Sequence, residues 1–426
     1  MTPRDPRWPS DGALDPEEHA PDTSGYALVR TPPRPRRSTF RTMETVLLAS
    51  TAALLAAVAW PIATGGQSAP PTPVAAAPPA AAIQQAPKIQ LALLLDTSSS
   101  MDGLLDQARS QLWAVVNALD SATFQGAAPQ LEIAVYEYGN DGLAESDGYI
   151  RQVVGFSGEL DLVSEGLFGL TTSGGDEFAG QVISAATREL KWDERDNVLR
   201  VLYIAGNEEF TQGPMDFHET VAAARSRGIV VNTVNCTGRG NWDPGWQDAA
   251  RLGGGKALRI DHNAKQAYIA SPHDDEIESL SSKLNDTYIG FGYRAKAALD
   301  NQARQDKNSV SAGRTSSIAR AMSKTSGMYN NAKWDLVDAL DEGTVELGTL
   351  DRSTLLHGYS ALSDEELEQK VTDARNTRDQ LKKDLRELQE QREAYVATQR
   401  TQGGHRLDHA IIDSISAQAA AAGFTL

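Results

Sequence analysis

The chain has one cysteine, Cys236, in 426 residues. A single thiol excludes an intramolecular disulfide framework and any CxxC metal site. Export stays open, because exported domains also fold without disulfides. Basic residues are scarce: 40 Lys and Arg stand against 57 Asp and Glu, a net charge of −17. That balance argues against a nucleic-acid partner, which needs a basic face to meet phosphates. The one basic cluster, Arg34, Arg36 and Arg37 with Arg30 and Arg41, lies outside any plausible folded domain. The seven histidines are scattered, with no HExxH, and no GxSxG elbow occurs. Without a general base paired to a nucleophile, the chain reads as a non-enzyme.

One long apolar run is present. Val46 to Ala63 carries no charge, and its length suits a bilayer core. Arginines precede it, and no basic residue follows until Lys88. The positive-inside bias then places the N-terminus in the cytoplasm and the rest outside, periplasmic or extracellular. The rival is a cleaved signal peptide, with Met43 as an alternative start, which would make the protein secreted. Residues 1–42, rich in Pro, Arg and Asp, read as disordered. Residues 43–63 read as a single-pass anchor or signal, and the Pro/Ala-rich stretch 64–87 as an extended spacer.

From Lys88 the pattern turns globular. Apolar runs at 89–95, 131–138, 149–156, 198–205, 229–236 and 256–261 read as strands. Helical spacing falls at 103–119, 178–190, 214–227, 246–252 and 274–288. The alternation predicts an α/β fold over 88–290, a Rossmann-like doubly wound and mostly parallel sheet. A helical extension follows over 291–360, then a long charged helix over 361–400 and a tail at 401–426. Ser363 with Glu366 forms a capping box. Leu367, Val371, Ala374, Arg378, Leu381, Leu385, Leu388, Arg392 and Tyr395 repeat at 4,3 spacing, a heptad seam broken by two arginines. It fits either a coiled coil with a partner chain, and so self-association, or a helix folded back on the upstream helices.

Asp96-Thr97-Ser98-Ser99-Ser100 ends the first strand. In a doubly wound sheet, ligands gather at the carboxyl ends of strands. A carboxylate and two hydroxyls at alternate positions present hard oxygens toward one point, which suits Mg²⁺, Ca²⁺ or Mn²⁺. An apolar strand, Asp-x-Ser-x-Ser and then a helix resemble the metal-ion-dependent adhesion site (MIDAS) of von Willebrand factor A (VWA) domains, over roughly residues 88 to 290. The resemblance implies two further loops. The second usually reads Gly-Gly-Thr, and here Gly174-Gly175-Asp176 puts Asp176 in the threonine's place. The third usually reads Thr-Asp-Gly, and here Ala205-Gly206-Asn207-Glu208 offers either Asn207 or Glu208. The resemblance implies a metal ion with an open position for an Asp or Glu of a partner protein. A second acid from this chain, Asp176, would strengthen metal retention and weaken the pull on that incoming carboxylate.

Three strings point elsewhere. Gly174 to Phe178 spells GGDEF, known from diguanylate cyclases, but there it sits on a hairpin turn, whereas here a helix follows. Gly253-Gly254-Gly255-Lys256 lacks the spacing of a phosphate loop and reads as a turn into the last strand. Trp242 and Trp246 read as caps on the core. The expected function is therefore an extracytoplasmic protein-binding module with a divalent metal. The alternative is a scaffold with a degenerate metal site whose C-terminal helices mediate assembly. A nucleotide cyclase is the remote third.

Overall fold

The structure is a computed structural model. It describes residues 85–238, 242–261, 268–356, 358–399 and 407–426, the side chains of the last segment from 411 onward. The N-terminal segment 1–42, the apolar span 43–63, the spacer up to 84 and the start of the tail, 401–406, lie outside the described residues. No helix among the described residues is long and apolar enough to cross a membrane.

Six strands form the central sheet: β1 (Lys88–Asp96), β2 (Gln130–Tyr138), β3 (Ile150–Ser157), β4 (Val198–Gly206), β5 (Val230–Asn235) and β6 (Gly254–Arg259). Their order is β3-β2-β1-β4-β5-β6. All neighbours are parallel except β2 and β3. This is a Rossmann-like, doubly wound α/β sheet with a helical extension. The chain leaves β1 toward one edge and returns at β4 to build the other. The order therefore reverses between β1 and β4, and a crevice opens outside their carboxyl ends.

Strand β1 shows why it lies at the centre. Leu91 and Leu95 join the core on one face, and Ala92 and Leu94 join the core on the other. A strand apolar on both sides is stable only between two helical layers. One layer is α3 (Ala179–Glu189), α4 (Phe217–Ser226) and α5 (Pro244–Gly253), packed through Val182, Ile183, Val221 and Trp246. The opposite face carries α1 (Asp102–Ala118) and α2 (Leu160–Phe168). The sequence reading did not separate α2, a short helix of nine residues.

The later helices are α6 (Asp274–Asn285), α7 (Ala295–Ser311), α8 (Arg314–Ser323), α9 (Leu336–Asp341), α10 (Asp364–Gln399) and α11 (Leu407–Ala421). They share a core with the sheet: Ile318, Met322, Leu381, Leu385, Ile415 and Ala419 cluster with Leu91, Trp113 and Val201. Polar contacts add to this. Trp113 Nε1 donates to Ser309 Oγ at 3.1 Å, and the Tyr203 and Ser414 hydroxyls lie 2.8 Å apart.

The capping box of α10 forms as its sequence suggests. The Ser363 N–H donates to Glu366 Oε2 at 2.8 Å, and the Glu366 N–H donates to Ser363 Oγ at 3.2 Å. Beyond it, most of the heptad seam is covered by this chain's own helices, with Tyr395 near its end exposed. Leu367, Val371, Leu381 and Leu385 are buried. Both seam arginines form ion pairs within the chain. Arg378 Nη1 lies 2.7 Å from Asp335 Oδ2 and 2.6 Å from Asp338 Oδ1, and Arg392 Nε lies 2.7 Å from Asp274 Oδ1. Of the two readings of this helix, the folded-back packing is the one observed.

A second buried charge cluster joins α2, α7 and α8. Arg320 contacts Asp161 and Asp306, and Lys324 contacts Asp306. Arg320 also lies 4.4 Å over the Trp113 ring. Burial disfavours the Lys324 ammonium more than Asp306 favours it, so its pKa falls from 10.5 to about 8.

Candidate metal centre

The site is built on the carboxyl ends of β1 and β4. Asp96 is the last residue of β1 and is fully buried. The chain turns at once, and the Ser98 N–H donates to Asp96 Oδ1 at 2.8 Å. The neighbouring hydroxyl, Thr97, turns the other way and donates to the Tyr138 carbonyl at 3.2 Å. Alternation along the loop therefore sends Ser98, not Thr97, toward the site.

From β4 the chain passes through Gly206 into Asn207 and Glu208. A side chain on Gly206 would meet the Tyr138 hydroxyl at 2.5 Å and Asp96 Oδ2 at 3.0 Å, so only glycine lets β4 approach Asp96 this closely. Asn207 Nδ2 donates to Ser100 Oγ at 3.2 Å, tying the third loop to the first. Trp246 Nε1 donates to the Glu208 carbonyl at 2.8 Å, and Phe210 stacks edge-on with Trp246. Trp246 is thus a core residue that also fixes the 207–210 loop.

The structure brings Asp96, Ser98, Ser100, Asn207 and Glu208 together, while Asp176 makes no hydrogen bond to any of them. Asp176 is exposed. The next residue, Glu177, is half-buried and turns inward. Successive side chains of an extended connection point to opposite sides, so the acid of this loop that faces Asp96 is Glu177. The loop is fixed by the Ser173 N–H to the Thr97 carbonyl at 3.0 Å and by the Asp141 N–H to the Gly174 carbonyl. The GGDEF string lies in a connection that leads into α3, not on a hairpin. Gly253 ends α5, Gly254 takes a left-handed φ of 69°, and Lys256 belongs to β6.

Three buried oxygens at this point have no partner at good hydrogen-bond geometry, Asp96 Oδ2, Ser98 Oγ and Asn207 Oδ1, although the Ser98 hydroxyl lies close enough to Asp96 and Glu177 to interact with either carboxylate. An unpaired buried acceptor costs about 1–3 kcal/mol, so a set of three calls for an explanation. The electrostatics agree. Burial pushes the Asp96 pKa up to about 6 against the Ser98 N–H and hydroxyl and the nearby Asn207 N–H, and Glu208 adds to the rise. Burial, then the charges of Asp96 and Glu208, push Glu177 up to about 7. The Ser98 hydroxyl lies near enough to favour the charged form of both carboxylates.

All of these donors are oxygens, which fits Mg²⁺, Ca²⁺ or Mn²⁺. Among the described residues no three His, Cys, Asp or Glu side chains converge as an all-acid or imidazole cage does. The donor set is instead one buried carboxylate with hydroxyl and amide oxygens, and Glu177 stands beside it. The sequence reading missed Glu177 because strand ends fix the position of a motif, while the facing of a loop residue depends on how the loop is tied down.

No family model matches the sequence, and no curated protein matches it. Solved structures overlap with part of it. Proximal thread matrix protein 1 from the mussel byssus, in a form with a zinc-occupied MIDAS motif, overlaps with a TM-score of 0.31 at 14% identity, over 42% of this chain and 43% of its own. The chain thus spans less than half the length of the mussel protein. The SpRpn10 VWA domain overlaps with a TM-score of 0.32 at 10% identity, over 43% of this chain and all of that domain. The pilus adhesin SpaC from Lactobacillus rhamnosus GG, in an open conformation, gives 0.31 at 10% identity, over 42% and 28%.

Proposed function

We propose that this chain is a protein-binding module, held outside the cytoplasm by a single membrane anchor at 43–63. In this reading a divalent cation seated on Asp96, Ser98 and Asn207 engages an acidic group of a partner protein. The observation that carries it is a set of three buried oxygens at the switch point between β1 and β4 that lack a well-formed hydrogen bond, Asp96 Oδ2, Asn207 Oδ1 and the Ser98 hydroxyl between two carboxylates. A hard cation would satisfy all three at once and relieve the repulsion among Asp96, Glu177 and Glu208. Ser100 and Glu208 stand at the rim, where they would order waters or complete the shell. A site held by few charges leaves the ion electrophilic, and a carboxylate is the natural incoming ligand for it.

The alternative, a scaffold assembled through its C-terminal helix, has less support, since most of the apolar seam of α10, Leu367 to Leu385, is already buried.

The test is thermal unfolding of the full-length chain with and without Mg²⁺, Mn²⁺ or Ca²⁺. A ligand that binds only the folded state stabilises it by RT ln(1 + L/Kd), with L the free ligand concentration, so the melting temperature rises with the logarithm of concentration above Kd. We expect such a rise for the wild type and none for Asp96→Ala. Equal behaviour of the two proteins would remove the site from the reading.

A further inference from the structure

Glu177 has no counterpart in the sequence reading of the site, and the structure gives it a specific position. Gly139 directly follows β2 with φ at 79°, a left-handed conformation. A side chain there would lie 2.9 Å from Glu177 Cγ and 3.1 Å from Asp96 Oδ1. The absence of a side chain at Gly139 is therefore what lets Glu177 lie alongside Asp96. The backbone on either side is anchored. The Glu177 N–H faces Gln212 Oε1 at 3.4 Å, and Phe178 packs against Tyr149 with ring centroids 6.0 Å apart. The Ser98 hydroxyl stands near the carboxylates of both Asp96 and Glu177.

A cation on Asp96, Ser98 and Asn207 would hold one carboxylate from those three ligands. The next nearest carboxylate is Glu177, from the same chain and on a fixed loop. An intramolecular group acts at a high effective concentration, in the millimolar range or above for short tethers. It outcompetes a free carboxylate that has to pay the entropy of association.

We propose that Glu177 is a built-in carboxylate that occupies the coordination position otherwise open to a partner, so that the site as folded is self-capped. A partner's acid then has to displace Glu177, which swings out by rotating its side chain while the loop stays in place. This inference rests on the reading that the site holds a divalent cation.

The experiment uses the full-length chain, Mn²⁺ as the probe ion and acetate as the probe carboxylate, read by water-proton relaxation. For the wild type we expect bound Mn²⁺ with low relaxivity that millimolar acetate leaves unchanged. For Glu177→Gln, which keeps the side-chain shape, we expect Mn²⁺ affinity about tenfold weaker. We also expect higher relaxivity from an added exchanging water, and a fall in relaxivity when acetate replaces that water. Identical affinity, relaxivity and acetate response in the two proteins overturn the proposal. So does a wild-type signal that acetate quenches, a result that needs no variant. If the wild type takes up no Mn²⁺ at all, the metal reading fails and this inference with it. Uptake by both proteins without a difference leaves the metal reading standing and sinks the self-cap alone.

Discussion

Lys324 shows how far single residues of this chain depart from their ordinary chemistry. It is fully buried, hydrogen-bonded to Asn285 Oδ1 at 2.8 Å and paired with Asp306. Its folded pKa of about 8 lies below the ordinary 10.5, because burial outweighs the pairing. Below pH 8 both folded and unfolded chains carry the proton, and the cost of burying the charge is fully present. Between pH 8 and 10.5 the folded chain loses the proton first, so this residue's contribution to stability rises with pH. The gain is about 3 kcal/mol when complete. Other groups titrate in the same window; Cys236, for one, is pushed well up by burial. The difference between wild type and Lys324→Met in denaturant unfolding isolates the effect. We expect that difference to change steadily from pH 7.5 to 10 in favour of the wild type. A pH-independent difference contradicts the assignment. At this scale the sequence marks where the candidate site sits, at the strand ends. Asp96, Ser98 and Ser100 follow from the end of the first apolar run, whereas Asn207 and Glu208 stood as alternatives suggested by the resemblance. Glu177 was not legible, because Asp176 and Glu177 are equally acidic and only the fixed loop decides which one faces inward.

Among the elements, α10 was the least determined by its sequence. Its capping box and its length could be read, but the pattern suited two arrangements. Two arginines in an apolar seam weaken a coiled coil, and the fold uses both as ion-pair partners. Arg378 also lies 4.2 Å over the Tyr288 ring and donates to the Thr287 carbonyl at 2.7 Å. The acids it needs, Asp335 and Asp338, lie on α9 and its N-cap, distant in sequence, so no local pattern could assign them. Removing one partner of a buried charge network strands the others, a loss of about 3–5 kcal/mol. We expect Arg378→Met to destabilise by that order in equilibrium unfolding. Arg375→Met, whose partner Asp341 is half exposed, should cost under about 1 kcal/mol. Equal effects from the two would mean that the Arg378 network does not hold α10 in place. The strands fared better than α10, since each of the six apolar runs became a strand of the central sheet. Buried strands carry their signal locally, whereas helix α2 is too short to show a period.

The whole folded part joins a nucleotide-fold-like sheet to a helical extension through one core. Sheet residues Leu91 and Val201 cluster with Ile318, Leu385 and Ile415 from helices far along the chain. The doubly wound class was evident from the alternation of strands and helices. That the later helices complete the core under the sheet was not, because tertiary packing leaves no period in a sequence. Removing residues 291–426 would expose the outer face of α1, including Trp113, which is fully buried and hydrogen-bonded to Ser309. Calorimetry of residues 85–290 should therefore show no cooperative unfolding peak, where 85–426 shows one. A sharp transition in the shorter fragment would mean that the sheet unit is self-sufficient. The central claim is that the point where the strand order reverses holds a divalent cation. Titration calorimetry of Mn²⁺ into the full-length chain, wild type against Asp96→Asn, tests it most directly. The account predicts one ion per wild-type chain and none for the variant. Binding of equal strength and number in both proteins would contradict it.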